Sequence, residues 1–456
     1  MRCVPGLGRC REWLVAAVAV ALLAGIATVS LPPAEPLLPP VGRATAPTGV
    51  TTTPPVEITG RSAGEWNRER AVAIRELLDR RARAVVDRDE AAFMSTVDPA
   101  ADPAFRQAQR QLFANLADVP LGAWTYLLHP DDEVPAVLPP GTAPADALWA
   151  PRVELRYAYT ADPVPTVRPM GYLFARRGER WYLTSDTALG SQRRRTWRGP
   201  WDFGPVHTVT TQYGLVLGHP GNRAVVSRVA RELDDAVQHV TAVWGPDWSR
   251  RVVVLLPETS AELQATVGVE FAVDGIAAVA VADRVDRDHG VVEGARVVLN
   301  PQAADRLSTT ALRVVLRHEI THVAARASTV DGTPMWLLEG FADYVGYHDS
   351  ALPPERVAPE LARMVRAGQL PDSLPEDSAF HSSGKRLDLA YQMSWSLAVY
   401  LEQVIGQPRL VEAFRQIAGI GAVSGEELDT RLRTLFGMDR DELLHGWRQF
   451  LHTMFR

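Results

Sequence analysis

Two histidines four residues apart constrain this chain more than any other feature of its sequence. They are His318 and His322, and Glu319 stands beside the first of them. Residues 308–326 contain no proline or glycine, and their apolar spacing predicts a helix, on which residues four apart share a face. Both imidazoles would then point to one place, as they do where two histidines bind zinc beside a glutamate base. A chance pattern or a hydrogen-bonded structural pair is the alternative interpretation.

A second motif bears on that choice. Residues 331–347 read DGTPMWLLEGFADYVGY and predict another helix, which places Glu339 and Asp343 four apart on one face. Sixteen residues separate His322 from Glu339, enough for a loop and a reversal, so the second helix can pack antiparallel against the first. A catalytic zinc needs a third protein ligand and an open fourth position. Carboxylates on the next helix therefore favour a metal site over a chance pattern.

The two motifs together resemble those of the gluzincins, the thermolysin-like and aminopeptidase-like zinc peptidases. More narrowly, they resemble the peptidase MA-like domains of exported bacterial proteins. The resemblance implies that His318, His322 and Glu339 bind Zn2+ and that Glu319 acts as the base toward a zinc-bound water. It also implies that Asp343 orients a ligand imidazole, that of His318.

Peptide hydrolysis also needs a donor to the oxyanion and a surface for the substrate backbone. The resemblance implies a tyrosine or histidine from the downstream helices, and Tyr391 is the candidate, with His381 as the second choice. Tyr391 could instead be a core aromatic residue of an amphipathic helix. In such peptidases an edge strand pairs with the substrate, and residues 275–285 or 295–301 could supply it or could be interior strands. The sequence lacks an evident motif for gripping a free N-terminus, which favours an endopeptidase.

The order of apolar patterns predicts an α+β protein of two main units. The resemblance implies a zincin-type domain at residues 205–456, and the apolar pattern predicts an α+β lobe at 205–345 and a helical lobe at 346–456 within it. Residues 61–190 predict helices followed by a meander of strands, which resembles the cone-shaped NTF2-like domain and shows no convergent catalytic pair. Residues 191–204 are predicted to be a linker.

The N-terminus predicts export of everything that follows it. Residues 1–12 carry arginines, and residues 13–31 are an uncharged apolar run of bilayer-spanning length. We expect a cytoplasmic N-terminus and a single membrane-spanning signal-anchor, or else a cleaved signal peptide and a secreted protein. Residues 32–60 are rich in proline and threonine and predict an extended spacer.

Composition narrows the chemistry further. The two cysteines, Cys3 and Cys10, both precede the apolar run, which excludes a disulfide framework and cysteine-ligated zinc in the body of the protein. A net charge of −6 gives no general argument for nucleic acid as a partner.

The sequence therefore predicts a zinc-dependent peptidase that hydrolyses peptide or protein substrates outside the cytoplasmic membrane. The alternative is a catalytically silent, zinc-bearing scaffold that acts through its NTF2-like domain. The intact Glu319 argues against that alternative, because a silent descendant has no physical need for the base. Hydrolysis of a non-peptide amide at the same metal site stays open.

Overall fold

The computed structural model describes residues 16–18, 63–268, 276–422 and 424–456. The predicted cytoplasmic N-terminus and the Pro- and Thr-rich spacer lie outside the described residues. So does the predicted membrane segment, apart from the three-residue strand β1 (Ala16–Val18). Among the helices that the structure describes, none combines the length and apolar character needed to cross a bilayer.

The first unit has helices before strands, as its sequence pattern predicts. Asp89 and Asp102 begin the second and third helices by accepting hydrogen bonds from the backbone amides of Ala92 and Ala104. The strands form two antiparallel sheets, in the orders β2-β4-β5 and β3-β6-β7. The elements are α1 (Ala63–Val86), α2 (Glu90–Met94), α3 (Pro103–Asn115), β2 (Leu121–Glu133), β3 (Ala147–Trp149), β4 (Pro151–Tyr159), β5 (Thr166–Met170), β6 (Leu173–Arg177) and β7 (Arg180–Ser185). Assignment of this unit to the NTF2-like domains stays a prediction.

The second unit is built on a six-stranded mixed sheet, in the order β1-β11-β14-β10-β9-β8. Its central strands β9, β10 and β14 are parallel and fully buried, as expected for apolar strands covered on both faces. The elements are β8 (His207–Thr210), β9 (Gly214–Gly218), α4 (Arg223–Trp244), β10 (Val252–Leu255), α5 (Ser260–Val267), β11 (Ala278–Val281), β12 (Arg284–Asp286), β13 (Val291–Glu293), β14 (Arg296–Leu299), α6 (Pro301–Ala304), α7 (Thr309–Ala325) and α8 (Met335–Tyr347).

The position of two strands bears on the candidates for the substrate edge, because both are interior in the described sheet. β14, which residues 295–301 contain, is an interior strand between β11 and β10, so it cannot offer an edge to a peptide. β11, from the other candidate segment, pairs antiparallel with β14 on one side. On its other side it pairs antiparallel with β1 alone.

The C-terminal part of the chain is helical, as predicted. Its long central helix, α12 (Lys385–Ile405), packs against α8 of the preceding lobe. Within that lobe, α7 packs against α4. The helices are α9 (Pro354–Val357), α10 (Pro359–Arg366), α11 (Asp377–Phe380), α12 (Lys385–Ile405), α13 (Gln407–Ala418), α14 (Gly425–Phe436) and α15 (Arg440–Met454). A continuous apolar core runs from the sheet through α4, α7 and α8 into these helices.

Two buried ion pairs join the first unit to the sheet of the second. Arg296 at the start of β14 donates to both oxygens of Asp162, at 2.6 and 2.7 Å. Arg168 of β5 pairs with Asp283, beyond the end of β11, at 2.6 Å. The four side chains are at most 10% exposed. Because removing either partner would leave a buried charge without compensation, these pairs hold the two units in one relative position.

Residues 191–204, predicted to be a linker, connect the two units without being solvated throughout. Trp201 in this segment is 2% exposed and packs edge-on against Trp124 and Tyr157 of the first unit. Trp197 stacks on Tyr157, with ring centroids 5.2 Å apart. The connecting segment is therefore part of the aromatic core between the two units, because its tryptophans bury apolar surface there.

Candidate metal centre

Helix α7 carries the first motif into the interior of the protein. Ser308 begins the helix by accepting a hydrogen bond from the amide of Ala311, at 3.2 Å. β11 and β14 lie against one side of the helix, and α4 and α8 cover others. The side chains of His318 and Glu319 are consequently fully buried, and that of His322 is 9% exposed.

Helix α8 is placed by contacts that the sequence pattern does not reveal. The amide of Met335 in its first turn donates to Asp377 of α11, at 2.8 Å. A side chain at Gly340 would put a Cβ 2.5 Å from the carbonyl oxygen of Ser394 in α12. The glycine beside Glu339 therefore lets α8 and α12 approach closely, so that the carboxylate faces both α7 and α12.

The two helices run antiparallel and bring three possible ligand side chains together. The Nε2 atoms of His318 and His322 are 3.0 Å apart. The Oε2 atom of Glu339 lies 3.3 Å from the first of these nitrogens and 3.7 Å from the second. One ligand atom from each of the three side chains falls within 4.8 Å of the others. Two imidazole nitrogens and one carboxylate oxygen are the donor set of a catalytic zinc site.

Asp343 sets the orientation of the first imidazole. Its Oδ1 atom accepts a hydrogen bond from Nδ1 of His318, at 2.8 Å. Because Nδ1 then carries the proton, the Nε2 lone pair of the neutral ring is directed at the cluster, where a metal ion would use it. The structure thus places Asp343 where the sequence analysis expected it.

Buried carboxylates without hydrogen-bond partners test whether the cluster fits a metal ion. Within the described part of the chain, neither oxygen of Glu319 or Glu339 has a hydrogen bond of good geometry, and both side chains are fully buried. A buried carboxyl group without hydrogen bonds is costly unless a nearby cation or a water molecule stabilises it, and for Glu339 the neighbouring His318 and His322 supply part of that stabilisation. The residues present therefore fit a bound divalent cation.

The cluster also perturbs the titration of its members. Burial raises the pKa of Glu319 to about 8. Burial opposes ionisation of Glu339 as well, but the two neighbouring histidines lower its pKa to about 2. Burial lowers the pKa of His322. One carboxylate is thereby held as an anion beside a second carboxyl group that readily takes up a proton, a division of roles found at hydrolytic sites.

Tyr391 and His381 lie in different environments. Tyr391, on α12, is 6% exposed and packs edge-on against Phe380. Burial raises its pKa well above 10, and the carboxylates of Glu339, Asp343 and Glu319 reinforce the shift, which places the phenol beside the cluster. His381 is exposed at the end of α11. The geometry therefore favours Tyr391 over His381 as a group that can act at this site.

A small cavity adjoins the cluster on the side of the sheet. Its volume is about 20 Å³, and Ala280, Ala282, Ala295, His322 and Leu338 line it together with other residues. This is room for about one water molecule. Its small side chains come from β11 and the start of β14, so the backbone of β11 runs directly past His322.

Residues 222–369 match the family model described as a peptidase of plants and bacteria, and the match contains both motifs. No curated protein matches the chain. The chain is similar to native yeast LTA4 hydrolase at 13% identity with a TM-score of 0.34, over 53% of this chain and 39% of the yeast protein. It is similar to an M1 zinc metallopeptidase from Deinococcus radiodurans at 14% identity with a TM-score of 0.33, over 62% and 60% of the two chains. The chain thus spans less than two thirds of each of these structures.

Proposed function

We propose that this chain carries a zinc metallopeptidase domain of the gluzincin type and that it hydrolyses peptide bonds in proteins outside the cytoplasmic membrane. One observation carries the proposal. His318, His322 and Glu339 converge in a single buried cluster inside the segment that matches a peptidase family. The convergence requires two helices to pack in one register, which an accidental motif would not achieve.

In this proposal His318, His322 and Glu339 hold the ion, and Asp343 keeps the first imidazole in the ligand tautomer. A zinc ion held there would polarise the scissile carbonyl and make a coordinated water acidic near neutral pH. Glu319 takes the proton that the attacking water loses and passes it to the leaving amine. Burial raises the pKa of its carboxyl group, which favours retention of the proton until it passes to the leaving amine.

Tyr391 is proposed as the donor that stabilises the oxyanion. Its phenol stays protonated across the physiological pH range, because burial and the nearby carboxylates raise its pKa well above 10. A protonated hydroxyl fixed beside the cluster can donate to the negative charge that develops on the former carbonyl oxygen.

The proposed substrate is an extended segment of polypeptide that lies along the outer side of β11. In the structure β1 pairs antiparallel with that side through Ala16–Val18, and a substrate strand would take this position when residues 13–31 lie in the membrane or are removed. The same strand contributes residues 280–282 to the cavity beside His322. Backbone pairing of this kind binds peptides with little regard to sequence and does not need a free N-terminus, which supports endopeptidase activity.

The location outside the membrane is proposed from the N-terminal sequence. Arginines before an uncharged apolar run at residues 13–31 favour a cytoplasmic N-terminus and an exported body. The run acts either as a signal-anchor or as a cleaved signal peptide.

The test combines metal analysis with proteolysis of an unstructured protein substrate. The purified full-length protein is expected to contain about one zinc per chain and to lose activity with a chelator. His322→Ala should lose both the zinc and the activity, whereas His381→Ala, a change at an exposed histidine, should keep both. A folded protein without zinc would overturn the proposal. A protein that binds zinc at His322 but cleaves no substrate would favour the silent scaffold instead.

A further inference from the structure

The first unit contains a cavity that the peptidase proposal does not use. Its volume is about 670 Å³, against about 20 Å³ for the cavity beside His322. Pockets that bind small molecules usually measure about 300–1,000 Å³. One face of α3, the end of β7 and residues 198–203 enclose it. The cavity is therefore large enough for an organic ligand and lies away from the metal-binding cluster.

Two carboxylates and one guanidinium form the polar side of this cavity. Nη1 of Arg198 donates to Asp186, at 2.8 Å, and to Asp202, at 3.2 Å. Gln109 also donates to Asp186, at 3.3 Å. The Oδ2 atom of Asp186 accepts both the bond from Arg198 and the bond from Gln109. A carboxylate has about four acceptor positions, so this group retains the capacity to accept from a ligand.

Several donors around the cavity already bond to protein acceptors. The amide nitrogen of Gln111 donates to Asn115, at 2.8 Å, and that of Asn115 donates to the carbonyl of Trp201, at 2.8 Å. The amide of Gln109 and the guanidinium of Arg198 are engaged with the carboxylates, as described above. The carboxylates of the lining retain acceptor capacity, which suits a ligand that carries N–H donors.

The net charge of the residues that line the cavity also favours a positively charged ligand. Asp102, Asp186 and Asp202 face Arg198 alone among the charged residues that line the cavity. Burial raises the pKa of Asp202 to about 6, although Arg198 lies beside it. With one arginine against three aspartates, the lining keeps a net negative charge. Because the space is partly desolvated, a positive charge on a ligand is stabilised there more than it is in water.

Aromatic and aliphatic side chains form the other side of the cavity. Phe105 and Leu112 come from α3, and Trp201 and Phe203 come from the connecting segment. Phe203 is 41% exposed, unusual for a large apolar side chain, and stands at the opening. Such a wall would contact an apolar or aromatic ligand body while the acidic side held its charged head.

We propose that this cavity binds a small organic cation, with its ammonium, amidinium or guanidinium head against Asp186 and Asp202 and its apolar body against Trp201 and Phe203. The site goes beyond the proposed peptidase activity and does not depend on it. It makes the first unit a ligand-binding module that is attached to the peptidase domain.

The test uses full-length protein and calorimetric titration with benzamidine, and benzamide serves as the neutral probe of the same shape. Benzamidine is expected to bind at least about tenfold more tightly than benzamide, a difference of one charge-assisted contact. Asp202→Asn should remove that preference, whereas Asp118→Asn, at an exposed position outside the cavity, should keep it. Phe203→Ala, at an exposed position that does not endanger folding, should weaken both probes.

Three results would overturn the proposal. Benzamide could bind as tightly as benzamidine, neither probe could bind, or Asp202→Asn and Phe203→Ala could both leave the titration unchanged. The His322→Ala protein separates this site from the metal-binding cluster, because it should bind benzamidine as the unmodified protein does. Loss of binding in that variant would assign the probe to the cluster and contradict a site in the first unit.

Discussion

The candidate metal cluster around His318, His322 and Glu339 and the cavity of the first unit both bury carboxylates, but they compensate them differently. In the cavity, Arg198 and Gln109 donate to Asp186, so the protein itself compensates part of the charge. In the cluster, Glu319 and Glu339 have no hydrogen bonds of good geometry from the described residues. A site that leaves its carboxylates to an external cation is suited to hold a metal ion and to move protons. A site that supplies its own cation is suited to reversible binding.

The largest expected effect comes from a substitution at Glu319, the proposed proton acceptor of the cluster. Glu319→Gln should lower kcat for proteolysis by about 10²–10⁴-fold, because the amide cannot accept a proton. Zinc content should stay unchanged, since Glu319 is not a ligand in the proposal. The matched change in the other region, Asp186→Asn, should leave proteolysis unaltered. Full activity in the Glu319 variant, measured on the same unstructured substrate, would remove this residue from the mechanism.

The next effect tests whether the two regions are one folding unit. Arg296→Met leaves Asp162 buried without its partner and should lower the free energy of unfolding by about 3–5 kcal/mol. Arg431→Met removes an ion pair with Glu427 near the surface and should cost under about 1 kcal/mol. Denaturant unfolding followed by circular dichroism measures both changes.

If the buried ion pairs couple the first unit to the second, Arg296→Met is expected to unfold in a single transition at a lower denaturant concentration than the unmodified protein. Two separated transitions in the unmodified protein would show instead that the first unit and the peptidase domain unfold independently.

The smallest of the three effects concerns the oxyanion donor. Tyr391→Phe should reduce kcat by about 10²–10³-fold with little change in KM, because the lost hydroxyl acts on charge that forms during the reaction. Tyr172→Phe, at a buried tyrosine of the first unit, provides the matched control and should have no effect on kcat. If Tyr391 only supports Glu339, the variant should instead bind zinc more weakly while the zinc-loaded enzyme keeps its kcat.

The outcome at individual residues shows what could be predicted. The positions of His318, His322, Glu339 and Asp343 relative to one another follow from four-residue spacing on two helices and a short reversal between them. The helical C-terminal part and the helices-then-strands order of the first unit follow from periodicity in the same way. Each of these depends on the geometry of neighbouring turns, which the local sequence controls.

Other features required contacts between residues far apart in the chain. The need for glycine at position 340 becomes clear only when Ser394 of α12 is known to lie against it. This close approach of the two helices places Glu339 near α12 and Tyr391. The interior position of β14 and the burial of Trp201 likewise depend on which strands and units become neighbours. No local pattern encodes such partners.

The sequence by itself therefore determined the two helices and placed His318 with His322, and Glu339 with Asp343, on shared faces, because a helix converts spacing directly into a shared face. Their roles as ligands, and that of Glu319 as the proton acceptor, stay predictions. Only the tertiary structure decided that a third helix brings Tyr391 to the cluster. It also decided that β11 passes beside His322 and that the first unit encloses an acidic cavity behind Phe203. These depend on how close packing matches surfaces from distant segments, and that match is a property of the whole folded chain.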